Sequence, residues 1–381
     1  MTPQATATPL SRLLAARIRE RGPITFAEFM REALYHPEFG YYSRKDEQRF
    51  PDFYTSVDVH PIFARLLARQ LAEMWGILGS PREFWTVEAA AGSGRLAAQI
   101  LDFASRELPA FYDALRYVAV EQSPARQAQH ASAFAKHLAS GHASSARELP
   151  PCVSLGCIFS NELLDALPVH RVVVKGGGLN EVYVSLAGDA LVEQLGAPCT
   201  PEVGAYFHDQ GIKLREGQQA EAGLDACLWI EDAGRRLGHG FVLTIDYGHE
   251  AAELYNERHM RGTLMAYAGH TLSEAFLDTP GEQDLTAHVN FTAVERWGKR
   301  GGLRRTGCAT QMEFLVALGR GNDFADLYEP GASEVERVRA RLMLKTLIHP
   351  EGMGETFRIF IQHKLGDANE AAPRLTGLSG I

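Results

Sequence analysis

The stretch Phe84-Trp85-Thr86-Val87-Glu88-Ala89-Ala90-Ala91-Gly92-Ser93-Gly94-Arg95-Leu96-Ala97-Ala98-Gln99-Ile100-Leu101 constrains this chain more than any other. An apolar run with a β-branched valine ends on a carboxylate. Small residues and two glycines follow, and then a helical pattern begins. That order predicts strand, tight turn, helix. Glycine lets the backbone of such a turn come close to a ligand, because no Cβ stands in the way. The helix that follows aims unpaired N–H groups at the same place. Glu88, at the strand end, can accept hydrogen bonds from an amine or from hydroxyls. Two readings are open at this point: a nucleotide-like cofactor over the turn, or an ordinary strand–helix turn that uses glycine for steric reasons.

The residues around this stretch extend the pattern. Trp85–Glu88 reads as a strand and Leu96–Arg106 as its helix. Leu115–Glu121 is a second strand, Pro124–Leu138 a helix, Cys157–Glu162 a further strand, and Gly240–Gly248 a buried strand carrying Asp246 near its end. Strands alternating with helices predict an α/β fold with a mostly parallel sheet. Glu121 lies 27 positions beyond Gly94, at the end of the second strand. An acid there sits where a ribose would lie, which favours an adenosine ligand over a bare phosphate. A nicotinamide-binding G-x-G-x-x-G is absent, because Gly92-Ser93-Gly94 runs on into Arg95-Leu96-Ala97.

The flanking regions read differently. Residues 1–9, rich in Thr, Pro and Ala, are expected to be disordered, and 10–80 mainly helical. Helices are predicted over Leu10–Glu20, from Phe26 to about Leu34, and over Ile62–Leu78. Thr25 and Glu28 have capping-box spacing for the second of these. Between them lies the aromatic loop Tyr35-His36-Pro37-Glu38-Phe39-Gly40-Tyr41-Tyr42. Thr55, Ser56 and Asp58 read as caps and turns. Arg171–Lys175 and Glu181–Leu186 predict a hairpin across Gly176–Gly178, with Ala190–Leu195 beside it, in a region that interrupts the sheet. Later come helices at Ala293–Arg300, Gln311–Leu318 and Ser333–Leu347, a connector at Gly302–Gly307, and a last strand at Glu355–Lys364. The layout expected is a helical N-terminal extension (1–80), a sheet core (81–175 and 238–365), an inserted α+β lid or substrate region (176–237) and a mobile tail (366–381).

Charge and cysteine usage exclude several classes. A net charge of −9 argues against non-specific nucleic-acid binding, which needs a cationic footprint. No apolar run reaches transmembrane length. Leu10–Arg21 is amphipathic and Arg-containing, as a mitochondrial presequence is. Glu20 and the immediate onset of domain-like sequence favour a surface helix instead. The five cysteines are scattered without C-x-x-C spacing and the fourteen histidines form no ligand motif, so a reducing compartment and no metal are expected. Cys152 and Cys157 read as core residues.

With those stretches identified, the chain resembles the MidA-like class I S-adenosylmethionine-dependent methyltransferases, whose mitochondrial members are complex I assembly factors. The resemblance rests on Phe29-Met30 with Tyr35–Tyr42; Asp52-Phe53-Tyr54-Thr55-Ser56; Glu88 with Gly92 and Gly94; Ser160-Asn161-Glu162-Leu163-Leu164-Asp165-Ala166-Leu167-Pro168; Ile245-Asp246-Tyr247-Gly248; Gly262-Thr263-Leu264 with Tyr267; and Pro280–Val289. It implies a Rossmann-like class I methyltransferase sheet. It also implies S-adenosyl-L-methionine held by Glu88, Ala90, Gly92, Gly94, Glu121 and Asn161. Methyl transfer would be an in-line displacement, with Asn161, Glu162, Asp165 and His288 as catalytic residues. The implied acceptor is a protein arginine, on a respiratory-complex-like subunit in the mitochondrial relatives. A guanidinium, charged below about pH 12, calls for carboxylates such as Glu162 and Asp165 that bind it by charge-assisted bonds. Those two acids also suit a helix N-terminus. His288 suits either a proton acceptor or a structural role, and Glu282, Asp284 and Asp246 carry the same pair of readings.

Two residues depart from the family pattern. Ala90 stands where the turn usually has its first glycine, acceptable if φ is negative and strained if it is positive. Met265-Ala266-Tyr267-Ala268-Gly269-His270 lacks the arginine that often follows the Gly-Thr-Leu block. Other readings in play are a non-catalytic assembly factor on the same fold, a small-molecule methyltransferase, and a nicotinamide-dependent oxidoreductase. The expected location is the cytoplasm, or the mitochondrial matrix in a eukaryote. The oligomeric state is open, a homodimer included.

Overall fold

Seven strands make the main path of the sheet on which the glycine turn sits, and an eighth, Val289–Asn290, pairs with Gly248–His249 beside it. Taken across the sheet the seven are Ala143–Ala146, Leu115–Val120, Phe84–Ala89, Val153–Asn161, Leu237–His249, Phe357–Lys364 and Arg304–Thr310. The first five run parallel, and Phe357–Lys364 is antiparallel to both of its neighbours. This computed structural model describes residues 8–43, 56–268, 271–366 and 371–380. The order reverses between Phe84–Ala89 and Val153–Asn161, so the first strand pairs with later strands on either side. In open α/β sheets the crevice at such a switch point, beyond the carboxyl ends of the strands, is where ligands bind.

The chain divides into two compact units. One comprises residues 54–163, 230–247 and 295–381 and holds this sheet. Its core packs Phe84, Tyr117, Phe159, Phe241 and Ile359 with Ile62, Phe63, Leu66 and Leu67 of the helix Ile62–Ile77 and Leu96, Ile100 and Leu101 of the helix Arg95–Glu107. The sheet's central strands are almost continuously buried, as parallel strands covered on both faces must be.

The other unit gathers residues 1–53, 164–229 and 248–294. It contains an antiparallel sheet ordered Ile24–Thr25, Gly178–Ala187, His170–Lys175, Gln219–Ala222, with Ala190–Gly196 added beside Gly178–Ala187. A smaller sheet joins Thr271–Ser273, Met265–Ala268 and Asp284–Thr286. Phe26, Phe29, Met30, Ala33 and Leu34 form the apolar stripe of the helix Phe26–Tyr35 and pack with Leu10, Leu14, Ile18, Val184 and Leu285. The capping box forms as predicted, Glu28 N donating to Thr25 Oγ1 at 3.1 Å and Thr25 N to Glu28 Oε2 at 3.0 Å.

Several expectations are corrected. The contacts draw neither a boundary at residue 80 nor an insertion confined to 176–237. The helix Ile62–Ile77 belongs to the sheet's unit, while residues 8–43 join 164–229 and 248–294. Thr8 caps the first helix, Pro9–Arg21, so order begins before residue 10; residues 1–7 lie outside the described ones. Pro124–Leu138 is three short helical turns, Pro124–Gln127, His130–Ala133 and Ala135–Ala139, not one helix. Gly302–Gly307 is no simple connector, because Arg304–Thr310 pairs with Phe357–Lys364. The strand Ala143–Ala146, short and made of small residues, and the helix Pro201–His208, whose apolar signal is limited to Val203, Tyr206 and Phe207, were unanticipated. Ser56 is no helix cap; its hydroxyl donates to Gln311 Oε1 at 2.9 Å. Asp52–Thr55 lie outside the described residues. Of the two cysteines read as core, Cys157 is buried and Cys152 is exposed.

The tail is not wholly mobile. Leu375 is buried, Thr376 N donates to Glu73 Oε2 at 3.0 Å, and Gly377 packs so tightly that a Cβ would meet Phe314 Cε2 at 2.3 Å. Residues 367–370 and 381 are outside the described set. Truncating Leu375 to alanine is expected to cost about 2–5 kcal/mol, the range for a buried leucine, read as a lower midpoint in urea denaturation. A midpoint unchanged from the parent would mean that this segment contributes nothing to the fold.

Candidate active site

Positive φ recurs at alternate positions of the turn: Ala90 (56°), Gly92 (56°) and Gly94 (81°). Such alternation turns successive N–H groups toward one concavity, an arrangement that suits an anion. The anion present is the Glu121 carboxylate. Gly92 N donates to its Oε2 at 2.8 Å and Ser123 N to its Oε1 at 2.8 Å. A third bond, from Ala91 N to Val120 O at 2.9 Å, ties the turn to the end of the neighbouring strand. The two glycines answer different needs. A Cβ on Gly94 would meet Phe134 Cε1 at 2.6 Å, whereas nothing lies within 4 Å of the corresponding point on Gly92. Gly94 is therefore a packing glycine. Gly92 faces open space that a ligand can use.

His130 supports the turn from below and was not anticipated. Its Nε2 lies 2.9 Å from Gly92 O and its Nδ1 2.8 Å from Ser145 Oγ. A carbonyl only accepts, so Nε2 carries the proton and Nδ1 accepts from the serine. Burial lowers its pKa and keeps the ring neutral. No spacing rule singles out this histidine, because its segment reads as a plain helix. The break in that helix brings its ring, and the Phe134 ring, under the turn.

Glu88 is 3% exposed and accepts a 2.7 Å hydrogen bond from Tyr117 Oη. Burial pushes its pKa up to about 8, with the nearby Glu121 charge adding to the rise and the Tyr117 bond opposing it. Beside it, at the switch point, Ala89 pairs with Ser160. Asn161 Nδ2 donates to Glu162 Oε1 at 3.0 Å, and its buried Oδ1 has no hydrogen-bond partner among the described residues. Glu162 has φ of 53°, with its N–H donating to Ile245 O at 2.9 Å. Asp246 braces this corner. Its Oδ2 accepts from Leu163 N at 3.2 Å and its Oδ1 from Tyr247 N at 3.0 Å. Glu88, Ala90, Gly92, Gly94, Glu121, Asn161 and Glu162 thus all belong to the sheet's unit, at the carboxyl ends of adjacent strands. The open space over Gly92 and the orphaned Asn161 Oδ1 fit a nucleoside ligand that brings its own donors.

Asp165 and His288 belong to the other unit. Their segments meet through Ala287 N, which donates to Asp165 O at 2.9 Å. Asp165 is buried, and its charge, with that of Asp284, reaches the Tyr267 ring. Tyr42 Oη donates to Asp284 Oδ1 at 2.8 Å, and Tyr35 Oη to Ala166 O at 2.9 Å, with the two rings 5.5 Å apart. The aromatic loop holds this arrangement because His36 Nδ1 accepts from Glu38 N and Phe39 N. A Cβ on Gly40 would strike His36 N at 2.4 Å. His288 N donates to Thr263 Oγ1 at 3.1 Å, and burial beside His249 and His259 lowers its pKa to about 4. The Gly262-Thr263 block is structural. Thr263 N donates to buried Glu221 Oε2 at 2.9 Å, and a Cβ on Gly262 would strike that carboxylate at 2.1 Å. Glu282 is exposed.

An open α/β sheet whose switch point carries a glycine turn clasping an acid defines a nucleoside-cofactor enzyme class. Comparison with known proteins makes it specific. A family model of S-adenosyl-L-methionine-dependent methyltransferases matches residues 66–309, and the chain belongs to that family. It is 28% identical, over 93% of its own length and 84% of the relative's, to the protein arginine methyltransferase NDUFAF7 of Mus musculus mitochondria. The Drosophila melanogaster homologue is also 28% identical, over 92% of this chain and 83% of that protein. A COG1565 superfamily member from Burkholderia thailandensis, crystallised with S-adenosyl-homocysteine, superposes with a TM-score of 0.85 at 27% identity. That match covers 97% of this chain and 94% of the other. The chain is a SAM-dependent methyltransferase with an α/β methyltransferase fold, and S-adenosylmethionine is its cofactor.

Two predictions follow from the turn's geometry. A free glutamate carboxyl ionises near 4.5 and folded Glu88 near 8. Between those values the unfolded chain has lost a proton that the native state keeps, so stability falls as pH rises through the window. Glu88→Gln has no such slope, and its melting temperature should gain on the parent's between the lower and upper ends of that window. A constant difference would contradict the buried, protonated state. Ala90→Gly should stabilise the protein by about 0.5–1 kcal/mol by relieving the left-handed alanine, measured by chemical denaturation. A loss of stability would contradict the strain.

Proposed function

We propose that the methyl acceptor is the guanidinium of an arginine in a protein substrate. The observation that carries this reading is the set of two acids and three tyrosines, Asp165, Asp284, Tyr35, Tyr42 and Tyr267, gathered within one unit. A planar cation is held by charge-assisted bonds to carboxylates and by the faces of aromatic rings. The names of the NDUFAF7 relatives point the same way.

Under this proposal Glu121, Gly92 and Asn161 hold the cofactor, Ala90 and Gly94 shape the turn, and Glu88 lies beneath it. The bound cofactor supplies a methyl group carried on a sulfonium sulfur. Asp165, with Asp284 of the same unit, holds the acceptor cation and localises its charge on one nitrogen, leaving the other's lone pair available, and the resemblance also gives Glu162 a catalytic role. Alignment of this kind accounts for much of an enzyme's acceleration. Asn161 orients the Glu162 carboxylate through its 3.0 Å bond. The strained φ of Glu162 supports a functional role, because such strain persists where the surroundings impose it. His288, neutral above about pH 4, takes the proton released by the methylated guanidinium. No helix of the described residues is long and apolar enough to cross a membrane, and the proposed location is the cytoplasm, or the mitochondrial matrix if the chain is eukaryotic.

Ala90 favours a second reading, a non-catalytic assembly factor that retains the methyltransferase fold, because a left-handed alanine burdens the turn. Calorimetry and methylation separate the two. The purified protein should bind S-adenosylmethionine, and Glu121→Ala should lose at least about tenfold in affinity, since a buried acceptor of charge-assisted bonds is removed. Asp165→Asn and Glu162→Gln should keep cofactor affinity and lose transfer of labelled methyl groups to protein arginine in cell extract, followed by mass spectrometry. Cofactor binding without any arginine product would remove the acceptor assignment. Absence of cofactor binding would favour the assembly-factor reading.

A further inference from the structure

The antiparallel sheet around His170 brings together donors that are far apart in sequence. His170 opens the strand His170–Lys175, and Glu181 lies on the partner strand Gly178–Ala187. Val172 pairs with Glu181, so His170, two residues earlier, shares a sheet face with Glu181 as its diagonal neighbour. Glu181 also pairs with Gly196 on the other side, and three residues later the chain places Cys199 over the same spot. One donor atom from each of the three lies within 4.8 Å of the other two. No sequence motif announces this, because the two intervals, 11 and 18 residues, are bridged by strand pairing.

The chemistry of the trio is unusual for a purely structural cluster. The Glu181 side chain is completely buried. It accepts from His170 Nδ1 at 2.7 Å and from Cys199 N at 2.6 Å. Those bonds outweigh its burial and hold its pKa below the ordinary value, so it remains an anion. Cys199 Sγ lies 3.7 Å from His170 Nδ1. Tetrahedral zinc bonds of about 2.3 Å to sulfur and about 2.0 Å to nitrogen would set those donors roughly 3.6 Å apart. Burial, followed by the hydrogen bond to Glu181 and then its charge, pushes the Cys199 thiol up to about 12, so without a cation it keeps its proton. A divalent cation would displace that proton and the one on His170 Nδ1. Glutamate and thiolate would then balance its two charges beside a neutral imidazole. Mixed nitrogen, oxygen and sulfur donors select a borderline-soft ion.

We propose that His170 Nδ1, Glu181 and Cys199 Sγ form a three-ligand zinc site, with a fourth position open to solvent because Cys199 is exposed. The ion would tie the exit of the strand Ala190–Gly196 to the neighbouring hairpin. Its role is structural and separate from methyl transfer. Binding would release protons, so affinity should rise with pH.

The test is a titration of the full, chelator-treated protein with cobalt(II), followed by displacement with zinc. One equivalent should produce tetrahedral ligand-field absorption and a near-ultraviolet thiolate-to-cobalt band, and zinc should abolish both. Cys199→Ser, at an exposed position, should lose the thiolate band and bind at least tenfold more weakly. Cys152→Ser should retain the band and serve as the control for the other exposed thiol. Zinc should raise the melting temperature of the parent and not that of Cys199→Ser. An absence of cobalt absorption with metal in excess, or a thiolate band that survives in Cys199→Ser, overturns the proposal.

Discussion

The Glu121 carboxylate is the interaction on which the sheet's ligand-facing end depends. One oxygen holds the turn after the first strand through Gly92 N–H, and the other holds the turn after the second through Ser123 N–H. His130 fixes the opposite side of the same turn by donating to Gly92 O. The backbone between Ala90 and Gly94 is thus clamped through a donor and an acceptor of one residue, Gly92. A loop with repeated left-handed φ is costly to hold in this shape. The clamp explains how it persists with alanine at one of those positions.

How legible this was varies with the range of the force involved. Features governed by local backbone chemistry could be read directly: the Thr25–Glu28 capping box, the strand–turn–helix at 84–101, and the acids at strand ends. Features governed by contacts between distant segments could not. The stretch from Pro124 to Leu138 has the composition of one helix, and it breaks where the rings of His130 and Phe134 are drawn under the turn. Arg304–Thr310 looks like a connector because its strand character comes from pairing with Phe357–Lys364. The division into units escaped the sequence for the same reason, since residues 8–43 are held by a strand, Gly178–Ala187, more than a hundred residues away.

The site shows the same contrast. Glu88, Gly92, Gly94, Glu121, Asn161 and Glu162 were legible because their positions follow from strand ends, and the parallel register gathers them. His130, Tyr117 and Ser145 were not, because each contributes through side-chain contacts that only the fold brings together. Several residues of the family-like blocks turned out to serve the scaffold. Gly262 and Thr263 enclose Glu221, and His36 and Gly40 shape the tyrosine loop.

Ala90, Gly92 and Gly94 share one sign of φ, and they differ in how freely each can drift over evolutionary time. Position 90 carries alanine, which tolerates a left-handed φ of 56° at the cost of backbone strain. Position 92 meets no neighbour within 4 Å, so its side of the turn answers to whatever ligand occupies that space. Position 94 is pinned by Phe134 and His130, and a side chain there requires both rings to move together. A lineage exploring this turn would accordingly vary from its strand end inward and stop at the helix.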